Sequence, residues 1–234
     1  MAKKKSLIKF NDEHKNRNRL SDIILGGQDG LVNVLGVILG VAAATVDTRI
    51  VLAAGFAATF AESVSMAAVA YTSKVAERDY YKSMVETEKR EIKEIPESEK
   101  EEIREIYRRK GFKGDLLERI VHVITSDEQV WLETMMRDEL VLTPVHDKRP
   151  LGAALIVGVS ALIGSLVPLM PFVAFPIGTG IYVSVLLSAV VLFVVGFIKA
   201  KMTIGSPGKS GMQMVIIGVL SALVGYGVGL LFTL

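Results

Sequence analysis

Apolar residues along the chain fall into five long blocks instead of the short periodic runs of a soluble fold. A membrane-crossing helix needs about 20 mostly apolar residues, at about 1.5 Å each against about 30 Å of hydrocarbon. Blocks that qualify run from about 23 to 46, 50 to 75, 151 to 170, 172 to 198 and 212 to 234. The tight turn VDTR joins the first two. The third and fourth meet at PLMPFVAFP (168–176), whose three prolines are expected to end helices by removing N–H donors. KAKMTIGSPGKSG (199–211) reads as a loop from its Gly, Pro and Lys content.

Between the second and third blocks the pattern turns polar without any strand signal. It predicts a continuation of the second block through Ile95, a helix from Pro96 to about Lys110 ended by Gly111, and two shorter segments between Leu116 and about Leu140. Ser126 or Asp127 offers a cap for the last of these. The expected fold is an all-α integral membrane protein: five transmembrane helices with a cytoplasmic three-helix acidic domain inserted between helices 2 and 3. Its parts are a basic N-terminal segment (1–22), helices 1 and 2 (23–76), the acidic domain (77–147) and helices 3 to 5 (148–234).

Charge sharpens this division. Half of the 234 residues are hydrophobic and the net charge is only +2, but 19 of the 25 acidic residues lie in 77–147 against 13 basic ones, and none follows Asp147. That segment carries about −6, and no nucleic-acid partner is expected. The N-terminal segment holds seven Lys and Arg before Leu20, and the last loop holds Lys199, Lys201 and Lys209. The opposite-side connections carry only Arg49, so the N-terminus, acidic domain and last loop are expected in the cytoplasm and the C-terminus outside. The basic start is not followed by a short apolar core with a cleavage site and reads as retained. Absence of cysteine excludes disulfides, thiolate metal sites and cysteine nucleophiles.

Ionisable residues inside a membrane are costly and persist mainly along interiors or pathways. Asp29 in GGQDGLVNVLG and Glu62 in FAESVSMAAVAY are such residues, and Met66 follows Glu62 by one helical turn. Asp22, Asp29, Asn33 and Gly36 form one stripe of the first span; Gly55, Thr59, Glu62 and Met66 form one of the second. Together they suggest a hydrophilic path. The plainer readings are an interfacial cap for Asp29, a neutral buried acid for Glu62 and core packing for Met66. A carboxylate with a thioether suits a borderline divalent transition ion better than calcium or magnesium.

The glutamate-dense run VETEKREIKEIPESEKEE (85–102) holds two same-face pairs, Glu88 with Glu91 and Glu99 with Glu102, on either side of Pro96. A reversal at Pro96 would bring the pairs together around a cation. Met135 and Met136 stand three to four residues before Glu139, on neighbouring faces. From spacing alone, a solvated surface laced with ion pairs explains the run equally well. Glycines four apart in GVILG (36–40) and GYGVG (225–229) permit close helix contact, within a chain or between copies. His14, His122 and His146 are scattered and suggest no site.

The residues SDIILGGQDGLVNVLGVILGVAAA, FAESVSMAAVAY, the acidic insertion with its Met-Met-x-x-Glu, and LVPLMPF together resemble the vacuolar iron transporter family, from about Ser21 to Leu234. The resemblance implies a homodimer with five spans per subunit and proton-coupled export of ferrous iron from the cytosol. It also implies Asp29 and Met66 in the ion path, and Glu88, Glu91, Glu99, Glu102, Met135, Met136 and Glu139 as cytoplasmic metal ligands. In the plant-type pattern the span-two carboxylate lies about two turns before the methionine; this chain has Ala58 there and Glu62 one turn before Met66.

The expectation is a secondary carrier of Fe²⁺ and/or Mn²⁺, with Co²⁺ and Zn²⁺ also compatible with the ligand types, and with no tightly bound cofactor. No phosphate-binding glycine loop is present, so the proton gradient is the expected energy source and an enzyme is not expected. A prokaryotic plasma membrane is the expected home, because no organelle-targeting extension is seen. The alternative is a membrane-anchored metal buffer or sensor, in which the spans only tether the acidic domain. Transport of an unrelated cation or polyamine is a third reading.

Overall fold

The computed structural model describes the backbone of residues 2–142 and 150–232 and the side chains of residues 19–142 and 150–232. Side chains of the N-terminal segment through residue 18, the expected boundary at 147/148 and the last two residues lie outside the described residues. The chain divides into two compact units, Met1–Tyr71 with Arg149–Leu234, and Thr72–Lys148. Among the described residues every regular element is helical, and five helices are long and apolar enough to cross a membrane. The protein is an all-α membrane protein.

The first unit contains α1 (Ala2–Ala44), the apolar first part of α2 (Thr48–Glu94), α6 (Pro150–Ala174), α7 (Ile177–Met202) and α8 (Pro207–Leu230). At about 1.5 Å per residue α2 is about 70 Å long, so only its apolar part can lie in hydrocarbon. Asp47 starts it: its Oδ1 accepts from the Arg49 N–H at 2.8 Å and its carbonyl from Ile50 at 3.1 Å. One apolar cluster joins Val34, Leu35, Ile38, Leu39 and Ala42 of α1 to Val51, Leu169, Phe172 and Ala222. Leu155, Ile163, Tyr182, Leu186, Leu223 and Val224 remain exposed, as lipid-facing positions should.

Two expectations are corrected. Pro168 and Pro171 do not separate the third and fourth spans: α6 runs through both, and the break comes at Phe175-Pro176, so the fourth span begins at Ile177 and not near Phe172. Burial holds the proline-bearing stretch in place: Pro168, Leu169, Pro171 and Phe172 are all buried, Ser184 Oγ of α7 donates to the Pro168 carbonyl at 2.7 Å, and the Phe175 N–H closes the last turn on the Pro171 carbonyl at 2.9 Å. The loop before the fifth span is also shorter than expected. Lys199 and Lys201 occupy the last turn of α7, where cations oppose the helix dipole, and Pro207 opens α8 at a position needing no N–H.

The glycine pairs are used within one chain. A Cβ on Gly225 would lie 2.0 Å from the Gly36 carbonyl oxygen, and one on Gly229 2.0 Å from that of Gly40. Only glycine permits this approach of α1 and α8. Gly225→Val is expected to cost several kcal/mol by forcing the helices apart, read as a lower melting temperature in detergent.

The second unit holds the remainder of α2, α3 (Pro96–Arg109), α4 (Gly114–Thr125) and α5 (Glu128–Thr134), which continues as a π turn over Met135–Glu139. Ile92, Ile103, Leu117, Val121, Ile124, Trp131 and Met135 form its core. Gly111, at φ +100°, ends α3, and the Phe112 N–H returns to the Tyr107 carbonyl at 3.2 Å. Asp127 caps α5, its Oδ1 accepting from Gln129 at 2.8 Å and Val130 at 3.1 Å. Asp127→Ala is expected to destabilise this unit by about 1 kcal/mol. Trp131, the single tryptophan and 5% exposed, reports that loss by fluorescence in denaturant.

Candidate metal sites

The glutamates of the second unit fall into surface and buried populations. Glu97, Glu101, Glu105 and Glu118 serve the surface: Lys100 pairs with Glu97 at 2.7 Å, and Arg104 bridges Glu118 at 2.9 Å while also meeting Glu101. Hydrogen bonding and charge from Lys100 hold Glu97 below the usual carboxylate range. Glu88 and Glu99, by contrast, are 5% and 3% exposed. The helical run breaks at Ile95 between α2 and α3, and one residue of each predicted pair, Glu88 before the break and Glu99 after it, is turned inward.

Glu88, Glu99 and Glu139 each present a carboxylate oxygen, and these oxygens lie within 4.8 Å of one another. The second oxygens of Glu88 and Glu99 are buried without a hydrogen-bond partner. Buried carboxylates are ordinarily paired or bound to a cation, because desolvation otherwise disfavours their charge. Burial, then the charges of Glu102, Glu88 and Glu91, push Glu99 up to about 7. Glu139 is pushed up to about 8 by burial, by a hydrogen bond with Glu102 and by the surrounding carboxylates. Burial and the charges of Glu91 and Glu102 also raise Glu88. Two buried carboxylates with unpartnered oxygens, met by a third from the exposed Glu139, form a converging set of oxygen donors that fits a divalent cation.

Glu91 and Glu102 are half-buried at the edge of this cluster and act on it through charge. Met136 is buried, and Met135 is wholly buried in the apolar core with Ile103 and Trp131, where it has a packing role. The π turn was not legible in the sequence. Its extra residue per turn sets the direction in which Glu139 leaves the helix, and such turns recur at functional sites.

Within the membrane unit, Asn33 joins the two carboxylates singled out by sequence. Its Nδ2 donates to Asp29 Oδ2 at 3.2 Å and to Glu62 Oε1 at 3.0 Å. Sequence reading placed Asn33 on the Asp29 stripe but gave it no role; its spacing of four from Asp29 was the available signal. The stripes are otherwise shorter than expected. Gly36 meets Ser221 of α8, and Gly55 packs against Leu169 and Ile38, so neither lines a path with Glu62. Thr59 is fully buried, and Met66 is half-buried one turn beyond Glu62.

Residues 20–230 match the family model described as the VIT family. The chain belongs to this family. It is 31% identical over 222 residues to "Vacuolar iron transporter 1" of Eucalyptus grandis, covering 92% of this chain and 89% of that protein. It is 33% identical over 207 residues to the protein of the same name in Oryza sativa subsp. japonica, covering 88% and 82%. With "Vacuolar iron transporter" of Toxoplasma gondii it shares 30% over 236 residues, covering 97% and 78%. VIT family membership places the chain among transporters and not enzymes.

Proposed function

We propose that the protein is a proton-coupled secondary transporter that exports ferrous iron, manganese or both from the cytosol, with its acidic unit collecting the metal first. One observation carries the reading: a VIT family chain brings three carboxylates together with two of their oxygens buried and unpartnered. The metal is cargo, bound by Glu88, Glu99 and Glu139 with Glu91 and Glu102 beside them; the buried Met136 would add a softer donor.

In the membrane, Asp29, Glu62 and Met66 replace part of the ion's hydration shell, and Asn33, donating to both carboxylates, keeps them side by side. Protons arriving from outside compete for the same carboxylate oxygens and release the metal. The gradient thus supplies the free energy. Asn33 is exposed and Glu62 only half-buried within apolar spans, so a second copy covering this face would remove polar groups from lipid, in keeping with a homodimer. The Lys and Arg pattern orients the acidic unit toward the cytosol. In a plasma or a vacuolar-type membrane alike, that orientation moves metal away from the cytosol.

The buried cluster taken alone also suits a tethered metal buffer. Mn²⁺ uptake by proteoliposomes under an imposed pH gradient separates the two. A transporter accumulates many ions per chain; uptake that saturates at a few ions per chain, with or without the gradient, identifies the buffer.

A further inference from the structure

The π turn that ends in Glu139 is gripped by α3. Within the turn the Met135 carbonyl accepts from the Leu140 N–H at 3.1 Å, and the Met136 carbonyl from Leu142 at 2.8 Å. Val141 takes φ +54° to close it, an unfavourable conformation for a β-branched residue that surrounding structure must hold. Asp138 supplies a holding point. Its side chain is 13% exposed and pairs with Lys110, the residue that caps the C-terminus of α3, and with Arg137 at 3.1 Å. Lys110 Nζ is itself steadied 4.6 Å from the centre of the Tyr107 ring.

The helix gripped in this way also carries Glu99 and Glu102. Lys110 lies about three turns beyond Glu99 along α3, while Glu139, next in sequence to Asp138, brings a carboxylate oxygen within 4.8 Å of one on Glu99. Two consecutive residues of the π turn therefore meet one helix at separate points.

We propose that Lys110 and Asp138 are positioning residues, whose ion pair over Tyr107 holds the π turn against α3 so that Glu139 completes the cluster with Glu88 and Glu99. The proposal rests on reading that cluster as the metal site.

Charge and position predict opposite signs for one substitution. Lys110 is a cation in the unit that binds a cation, so by charge alone its removal strengthens metal binding. As a positioning residue its loss weakens binding, by about tenfold if it acts as supporting partners of metal ligands do. The test is Mn²⁺ binding to the full chain in detergent, read from loss of the free-ion electron paramagnetic resonance signal, with Trp131 fluorescence reporting the fold. Lys110→Met is expected to bind about tenfold more weakly and Lys110→Arg nearly as well as native. In a Glu139→Gln background Lys110→Met is expected to have no further effect. Should Lys110→Met unfold, the near-isosteric Asp138→Asn carries the same comparison, weakening binding only when Glu139 is present. Unchanged or tighter binding by a folded Lys110→Met overturns the proposal, as does an equal loss in both backgrounds. Failure of the native protein to bind Mn²⁺ overturns the cluster reading and this proposal together.

Discussion

Asp29→Asn and Glu62→Gln are each expected to reduce gradient-driven metal flux at least about tenfold while leaving metal binding by the acidic unit unchanged. Both substitutions keep the side chain's shape and its ability to hydrogen-bond, so the first unit should still fold. What they remove is the negative charge that replaces hydration and accepts the returning proton. Loss of even an outer-shell partner commonly costs about 10–100-fold in affinity or activity, and these carboxylates are read as direct ligands. Asn33→Leu, which deletes the bridge at 3.2 and 3.0 Å, should lower flux in the same direction. Proteoliposome flux with Mn²⁺ checks all three; flux equal to native in Asp29→Asn and Glu62→Gln would remove both from the path.

A second large effect concerns the pH dependence of the acidic unit. Glu99 is pushed up to about 7 and Glu139 to about 8, from an ordinary value of 4.5. Between pH 4.5 and 8 the folded unit therefore retains protons that the unfolded chain has released. Its stability without metal is greatest below about pH 4.5, as far as these groups decide it, and falls as pH rises through 7 and 8. For the buried Glu99 the loss is on the order of 1–3 kcal/mol. Metal reverses the trend, because binding displaces those protons and tightens as pH rises. Unfolding followed through Trp131 should show a metal-free protein weaker at pH 8 than at pH 5.5, and Mn²⁺ should stabilise it strongly at pH 8 and little at pH 5.5. Glu99→Gln should flatten the metal-free profile, raise stability at pH 8 and abolish most of the Mn²⁺ effect. A metal-free unit that gained stability from pH 5.5 to 8 would refute the crowding of carboxylates on which the site depends.

The five spans were legible because a bilayer demands long apolar blocks, a requirement met in composition alone. Helix ends were less legible where neighbours intervene. Proline chemistry argues that Pro168 and Pro171 break a helix, but both are buried among neighbouring helices, Ser184 of α7 ties to the Pro168 carbonyl, and α6 continues. Spacing could not tell Glu99 from Glu97 or Glu101, since a dense glutamate run offers pairs on every face. The apolar positions Ile92, Ile103 and Ile106 decide that Glu88 and Glu99 turn inward; resemblance to a family named those two together with Glu91 and Glu102, which are half-buried. Glycines at 36, 40, 225 and 229 read equally as intrachain or intersubunit contacts until backbone proximity assigned them to α1 and α8. Neither the π turn nor the Asn33 bridge has a sequence signature strong enough to anticipate, because each depends on a partner distant in the chain or on one extra residue in a helical turn.

The proposed function requires exchange of metal for protons across the membrane. Its most direct measurement follows Mn²⁺ and lumenal pH together in the same proteoliposomes, with no pH gradient imposed at the start. An inward Mn²⁺ gradient should then drive protons out, raising lumenal pH in step with metal entry, and Glu62→Gln should suppress both signals. Metal entry without any accompanying pH change would contradict proton coupling.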